Sequence, residues 1–254
     1  MTLCKDNNLI FSKQIFVKAS HCGPQQDLPL QSLISEIIDI ATEHANSLGI
    51  GYDYMIKNDA AWVLGRISLR INRFPECNKT FSLRTWIVNI NPYFSERAIS
   101  VIGEDGKEIG FAITVWMAID LNKRRAARLD RLFPDGLPVS DAPVEMEPRE
   151  RLPKITTPSS IWEHRFQYSD MDCNRHVTTT RYVEQIVNIH DLEFYDTHRV
   201  SRFDITFHAE TYAGDLVSIV SEKIDNSTVL VNIMRDSTLC TAALIKYEPH
   251  EQCH

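Results

Sequence analysis

From Tyr168 to Gln185 the chain reads YSDMDCNRHVTTTRYVEQ, and within it Asp172, Asn174 and His176 stand at i, i+2 and i+4. Polar side chains at period two in an extended turn face one side, so the spacing predicts one cluster. Their chemistries complement one another. A carboxylate positions or polarises a water, an amide orients a carbonyl or a carboxylate, and an imidazole shuttles protons near neutral pH. The segment runs straight into an apolar-periodic stretch that predicts a helix. The first turn of that helix offers unpaired N–H groups and a positive dipole end to a developing oxyanion. The backbone of Val177, Thr178 and Thr179 is the expected source of those donors. The same residue types also serve as turn and capping residues, so spacing alone does not decide between a site and a cap.

Two helices are expected to position such a site. The first spans about Leu30 to Leu48, where Leu30, Leu33, Ile34, Ile37, Ile38, Ala41, Ala45 and Leu48 form one stripe at 3.6-residue spacing. Pro29 suits its first turn, and Gly49 and Gly51 suit its stop. The second spans about Thr179 to His190, with Tyr182, Val183, Ile186, Val187 and His190 on one face and Thr178 or Thr179 as cap. Nearly everything else reads as strand: Ile10–Lys18, Trp62–Ile71, Thr80–Val88, Glu96–Ile102 and Gly110–Leu121 in the first half. The second half repeats the order with Ile161–Tyr168, Arg202–Ala209, Asp215–Ser221, Val229–Arg235 and Thr238–Tyr247. Glu104-Asp105-Gly106 predicts a hairpin turn.

Each half is therefore strand, long helix, then about four antiparallel strands. Between them, Phe133 to Pro158 carries Pro134, Pro138, Pro143, Pro148, Pro153 and Pro158, which predicts a linker. The expected division is a first domain at 1–132, a linker at 133–158 and a second domain at 159–254. A helix laid on a curved antiparallel sheet leaves an edge strand uncovered, and two such units joined edge to edge make one sheet. The fold class is α+β, in the geometry of a tandem (double) hot-dog protein.

Net charge is −7 and apolar residues make up 43 % of the 254. This is globular composition, which excludes disordered, collagen-like and coiled-coil classes. The acidic balance argues against nucleic acid as a partner. No apolar run reaches the ~18 residues of a membrane helix. The opening MTLCKDNNLI has neither signal nor transit pattern. Cys4, Cys22, Cys77, Cys173, Cys240 and Cys253 show no CxxC or other metal spacing. They read as reduced thiols in a cytoplasmic protein without a disulfide framework or bound metal. No Gly-rich phosphate loop is present, and no cofactor is expected. Homodimerisation is left open.

Beyond these patterns the chain resembles the acyl-ACP thioesterases of fatty-acid synthesis. The likeness is carried by Ala61-Trp62-Val63-Leu64, Arg66, Ile71, Arg73-Phe74-Pro75, Thr85-Trp86 and Val115-Trp116 in the first half. In the second half it is carried by Asp172-x-Asn174-x-His176-Val177 with Tyr182, and by Phe207-His208-Ala209-Glu210-Thr211. The resemblance implies a double hot-dog fold, release of free fatty acid from acyl carrier protein, and a catalytic Glu210 beside Asp172, Asn174 and His176. It also implies an acyl-chain pocket walled by the first half, with candidates along the first helix and the Trp62 strand. The same apolar residues serve equally as ordinary core. Two departures stand out. His176-Val177 continues with Thr178-Thr179 where the family often has Asn-Asn, and Thr211 stands where plant-type members place Cys after the Glu. A thiol mechanism would need Cys173, which alternation turns away from Asp172 and Asn174. The first half's counterpart loop, Ser20 to Asp27, lacks the Asp-x-Asn-x-His pattern, so one working site per chain is expected. The acidic carrier would meet the densest basic run, Lys123-Arg124-Arg125 with Arg128, although a solvated charged segment has the same composition. An acyl-CoA thioesterase, a hydratase or dehydratase, and a non-enzymatic acyl-binding protein are the rival readings of the same fold.

Overall fold

In the computed structural model, residues 9–146 and 152–249 are described. The first half runs β1 (Ile10–Phe16), α1 (Leu30–Ser47), α2 (Tyr52–Lys57), β2 (Ala60–Ile71), β3 (Thr80–Ile90), β4 (Phe94–Ile102), β5 (Glu108–Asp120), β6 (Arg125–Ala127) and α3 (Leu129–Leu132). The second runs β7 (Ser160–Arg165), α4 (Thr179–Val187), α5 (Leu192–Thr197), β8 (His198–Phe207), β9 (Leu216–Lys223), β10 (Thr228–Arg235) and β11 (Thr238–Pro249). The strands form one antiparallel sheet in the order β1-β3-β4-β5-β2-β8-β11-β10-β9-β7, with β6 beside β5.

That order is symmetric about its centre. In each half the strand before the long helix lies at the outer edge, and the strand after it lies at the seam. At the seam β2 pairs with β8 from Arg66↔Thr206 to Arg70↔Arg202. Ile67, Leu69, Phe203 and Ile205 alternate inward there and are fully buried. One core therefore crosses both halves, and α1 packs against α4 inside it. This is the tandem hot-dog arrangement expected from the repeated element order.

The helices match their periodicity with two differences. On α1 the buried set is Leu30, Leu33, Ile34, Ile37, Ile40, Ala41 and His44. Ile40 and His44 replace Ile38, Ala45 and Leu48, because sheet and α4 enclose the helix over a wider arc than a one-sided stripe. α4 ends at Val187 rather than His190, and Thr178 occupies its cap position without a side-chain capping bond. Each fully buried Leu or Ile contributes about 1.5–3 kcal/mol.

One expectation needs correction. Cys22 and Cys77 form a disulfide, with Cα atoms 5.8 Å apart. Pairing of β1 with β3 explains it: Phe16 lies opposite Thr80, so the loop leaving β1 runs beside the loop entering β3, and Cys77 N–H donates to Gln26 O. Sequence separation hid the contact. Cys173 and Cys240 are free thiols; Cys4 and Cys253 lie outside the described residues. Closing a loop of this length constrains the unfolded chain by about 2–4 kcal/mol. Reduction, or the Cys22→Ser and Cys77→Ser double variant, is expected to lower Tm by about 5–15 °C in a thermal melt. An unchanged Tm would mean the pair adds nothing to stability.

The start of the Pro-rich segment packs on the first half. Phe133 and Leu137 are buried with Met55, Ala60, Ile87 and Ala118. Val139 forms a parallel bridge to Ile87, and Tyr54 Oη donates to Leu132 O. Its first eight residues complete the wall of the first half.

Candidate active site

The loop leading into α4 is anchored at both ends. Phe166 is fully buried and meets Tyr182 edge-on at 5.6 Å. Met171 and Val177 form an antiparallel bridge. Asp172 N–H donates to His176 O at 2.7 Å, and Arg175 N–H donates back to Asp172 O at 3.0 Å. The five residues Asp172 to His176 are thus a closed turn, with Arg175 at φ +66°, and not the extended turn that period-two spacing implied. The Asp172 carboxylate holds this turn from within. Its Oδ1 accepts the N–H groups of Asn174 at 2.8 Å and His176 at 2.9 Å. Its Oδ2 has only a long 3.5 Å contact with the Asn174 amide.

Glu210 lies beyond the end of β8, in the loop to β9, and comes to the same place. Its Oε2 is 3.4 Å from His176 Nε2, accepts from Tyr212 Oη at 3.0 Å, and is 3.5 Å from Arg124 Nη2. The Glu210 carbonyl accepts from Arg235 Nη1 at 3.1 Å. Tyr212 also meets the His176 ring edge-on at 5.3 Å. Its hydrogen bond to Glu210 pushes the Tyr212 phenol above its ordinary pKa. Asp172, Asn174, His176 and Glu210 therefore gather in one cluster, with His176 half-buried between turn and Glu210.

The oxyanion donors differ from expectation. Val177 N–H is bonded to Thr211 O and Thr178 N–H to Asp170 O, both at 2.9 Å, so neither is available to substrate. Thr179 opens α4, where no intrahelical acceptor exists, and its N–H is the one of the three that remains. Thr211 is fully buried, with its hydroxyl 2.5 Å from Tyr182 Oη. Burial pushes the Tyr182 phenol up to about 12. Thr211 therefore locks loop to helix. Cys173 is exposed, and Cys173→Ala is expected to change kcat less than about twofold; a thousandfold loss would install a thiol nucleophile.

Beside the cluster is a cavity of about 250 Å³. Ala41, Ala45, Met55, Trp62, Ile87 and Trp116 are among its first-half walls, and Asn174 reaches it from the second half. Trp62 is fixed by its indole N–H on Ile50 O at 2.9 Å and by stacking on Phe133. Gly51 brings α2 against α1, where a Cβ would meet Asn46 Cα at 2.8 Å.

The basic run is mostly engaged. Lys123 pairs with Asp120 at 3.2 Å. Arg128 pairs with Asp130 and lies over the Tyr93 ring. Arg124, expected at a docking surface, reaches across to Glu210. Arg125 forms no ion pair among the described residues. Sequence reasoning missed Arg124 and Tyr212 as neighbours of Glu210; only the position of Tyr212, two residues after the glutamate, hinted at it.

The first half builds the same loop without the chemistry. Gly23 N–H donates to Asp27 O and Gln26 N–H to Gly23 O, and Leu28 N–H donates to Pro75 O as Val177 does to Thr211. Gln26 has φ +60° where Arg175 has +66°. By this correspondence Gly23 stands for Asp172, Gln25 for Asn174, Asp27 for His176 and Phe74 for Glu210. The backbone is repeated and the acid–base set is absent, as expected for one working site.

A family model described as the acyl-ACP thioesterase N-terminal domain matches residues 8–133, and one described as the C-terminal domain matches residues 154–247. The chain is 22% identical over 237 residues to a chloroplastic palmitoyl-acyl carrier protein thioesterase of Gossypium hirsutum, covering 87% of this chain and 57% of that protein. It spans a little over half the length of the first curated relatives it matches. Among solved structures, an acyl-ACP thioesterase from Bacteroides thetaiotaomicron VPI-5482 superposes with a TM-score of 0.87 at 28% identity, over 95% of this chain and 98% of that one. The 12:0-ACP thioesterase from Umbellularia californica shares the fold, with a TM-score of 0.85 at 17% identity over 95% and 98% of the two chains.

Proposed function

The chain belongs to the acyl-ACP thioesterase family, and from that membership we propose that it hydrolyses the thioester of fatty acyl-acyl carrier protein, releasing free fatty acid. The observation that carries this reading is the 3.4 Å approach of His176 Nε2 to Glu210 Oε2, two residues from Asn174, which lines a mostly apolar cavity. The acyl chain lies in the cavity and the thioester carbonyl at its mouth. His176, oriented by Glu210, removes a proton from a water as that water attacks the carbonyl carbon. Negative charge moves to the carbonyl oxygen, where the Asn174 amide and the Thr179 N–H at the start of α4 receive it. The tetrahedral intermediate then breaks its C–S bond, and His176 returns the proton to the departing carrier thiolate. Asp172 keeps the turn closed and offers Oδ2 to the water.

The test is a fatty-acid release assay on carrier-linked thioesters of graded chain length, each against the matching coenzyme A thioester. Turnover with preference for the carrier form is expected. Equal rates on both would favour the acyl-CoA reading, and acyl binding without turnover would overturn hydrolysis.

Carrier protein is acidic, and among the described residues Arg125 is the exposed cation of the run that no carboxylate engages. Arg125→Glu is expected to raise KM for the carrier-linked thioester about fivefold, the equivalent of roughly 1 kcal/mol, and to spare small thioesters. Equal effects on both substrates would remove this surface from docking. Charge reversal at Arg124 is the poorer probe, because it also places a carboxylate beside Glu210.

A further inference from the structure

The cavity described above is mostly apolar, with a few neutral polar side chains such as Thr42, Ser95 and Asn174, and one of its walls is charged. Arg97, on β4, lines it and is 5 % exposed. Among the described residues no carboxylate lies within ion-pair distance of its guanidinium. Its Nη1 donates to His44 Nδ1 at 2.6 Å and to Thr85 Oγ1 at 3.3 Å. A guanidinium is donor only, so His44 Nδ1 accepts and the ring is neutral on that side. His44 is itself fully buried and stacked on Phe11. Ser95 lines the cavity near it, and the Trp116 indole, another wall, donates to Thr114 Oγ1. Burial lowers the Arg97 guanidinium to about 10, which leaves it charged at neutral pH.

A buried cation without a counter-charge is costly, and a hydrocarbon pressed against it completes the desolvation without returning a hydrogen bond. Among the described residues only Nη1 has hydrogen-bond partners, while the guanidinium carries five N–H donors. Once an acyl chain displaces water from the cavity, the acceptor that answers them comes with the ligand. Asn174 fixes the thioester end at the mouth, so the acceptor belongs further along the chain.

We propose that the cavity is built for an acyl chain bearing an oxygen substituent, a hydroxyl or oxo group, on its buried portion, and that Arg97 recognises that oxygen. This rests on reading the cavity as the acyl site and names the substrate class within it. Arg97 is then a specificity residue, with His44 and Thr85 holding its fork in place.

Binding tests it without turnover. Graded-length ω-hydroxyamides are titrated into the protein beside their unsubstituted amides, with Trp62 and Trp116 fluorescence as the signal. Neutral amides are used because a free carboxylate would itself seek Arg97. At the best-fitting length the hydroxyamide is expected to bind at least about tenfold tighter. Arg97→Met is expected to close that gap to under about twofold and to strengthen binding of the unsubstituted amide. Arg97→Lys, which keeps charge but loses the planar fork, should retain part of it. Equal binding at every length, a gap that survives Arg97→Met, or no binding of either amide overturns the proposal. Should Arg97→Met fail to fold, the wild-type ratio and Arg97→Lys decide. Failure of the hydrolase reading would appear separately, as absent release from carrier thioesters whatever the amides do.

Discussion

His176→Ala is expected to lower kcat for thioester hydrolysis by about 10²–10⁴, the usual contribution of a positioned general acid–base, while KM and Tm stay near wild type. The imidazole is half-buried and its contacts are with Glu210 and Tyr212, so its loss leaves no hole in the core. The wall residues of the cavity are untouched, which is why KM should hold. Glu210→Gln completes the experiment. If Glu210 works by orienting His176, the double variant should fall little further than His176→Ala alone, because groups that act as a unit lose their effect together. Multiplicative losses would assign Glu210 a separate task, such as holding the water itself. A His176→Ala enzyme with near wild-type turnover would end the proposed mechanism.

Asp172 separates architecture from chemistry. Asp172→Ala removes the acceptor of two backbone N–H groups at 2.8 and 2.9 Å. The turn should loosen, Tm should fall by a few degrees, and kcat should drop by about 10² or more, since misplacing reacting groups by an ångström is that costly. Asp172→Asn keeps an oxygen at Oδ1, so Tm should recover. It also replaces Oδ2, a lone-pair acceptor, with an amide donor, so a water polarised there loses its partner and kcat should stay about 10–100-fold down. The difference between the two variants measures the turn, and the deficit of the asparagine variant measures the carboxylate. Full activity in Asp172→Asn would make Asp172 an architectural residue only.

What was legible in advance follows local chemistry. Periodicity placed α1 to within a residue, because a long amphipathic stretch bounded by Pro29 and Gly49 admits one reading. The repeated element order foretold a single joined sheet, because each unit leaves an edge that the other covers. The meeting of His176 with Glu210 was read from the family resemblance. The turn shape was not legible, because side chains at i, i+2 and i+4 fit a strand and a closed Asx-type loop equally well. The Cys22–Cys77 pair, the reach of Arg124 to Glu210 and the burial of Arg97 all depend on strand register. Register is decided by contacts between distant segments, and no window of sequence contains them.

The repeated loop has a further consequence. Because the chain writes the same backbone hairpin twice, reactivity is an inscription of side chains on a template that folds without them. The copy holding Gly23 and Asp27 carries no Asp-x-Asn-x-His set and is outside the proposed chemistry. There a covalent clasp such as Cys22–Cys77 sits apart from turnover at the other copy.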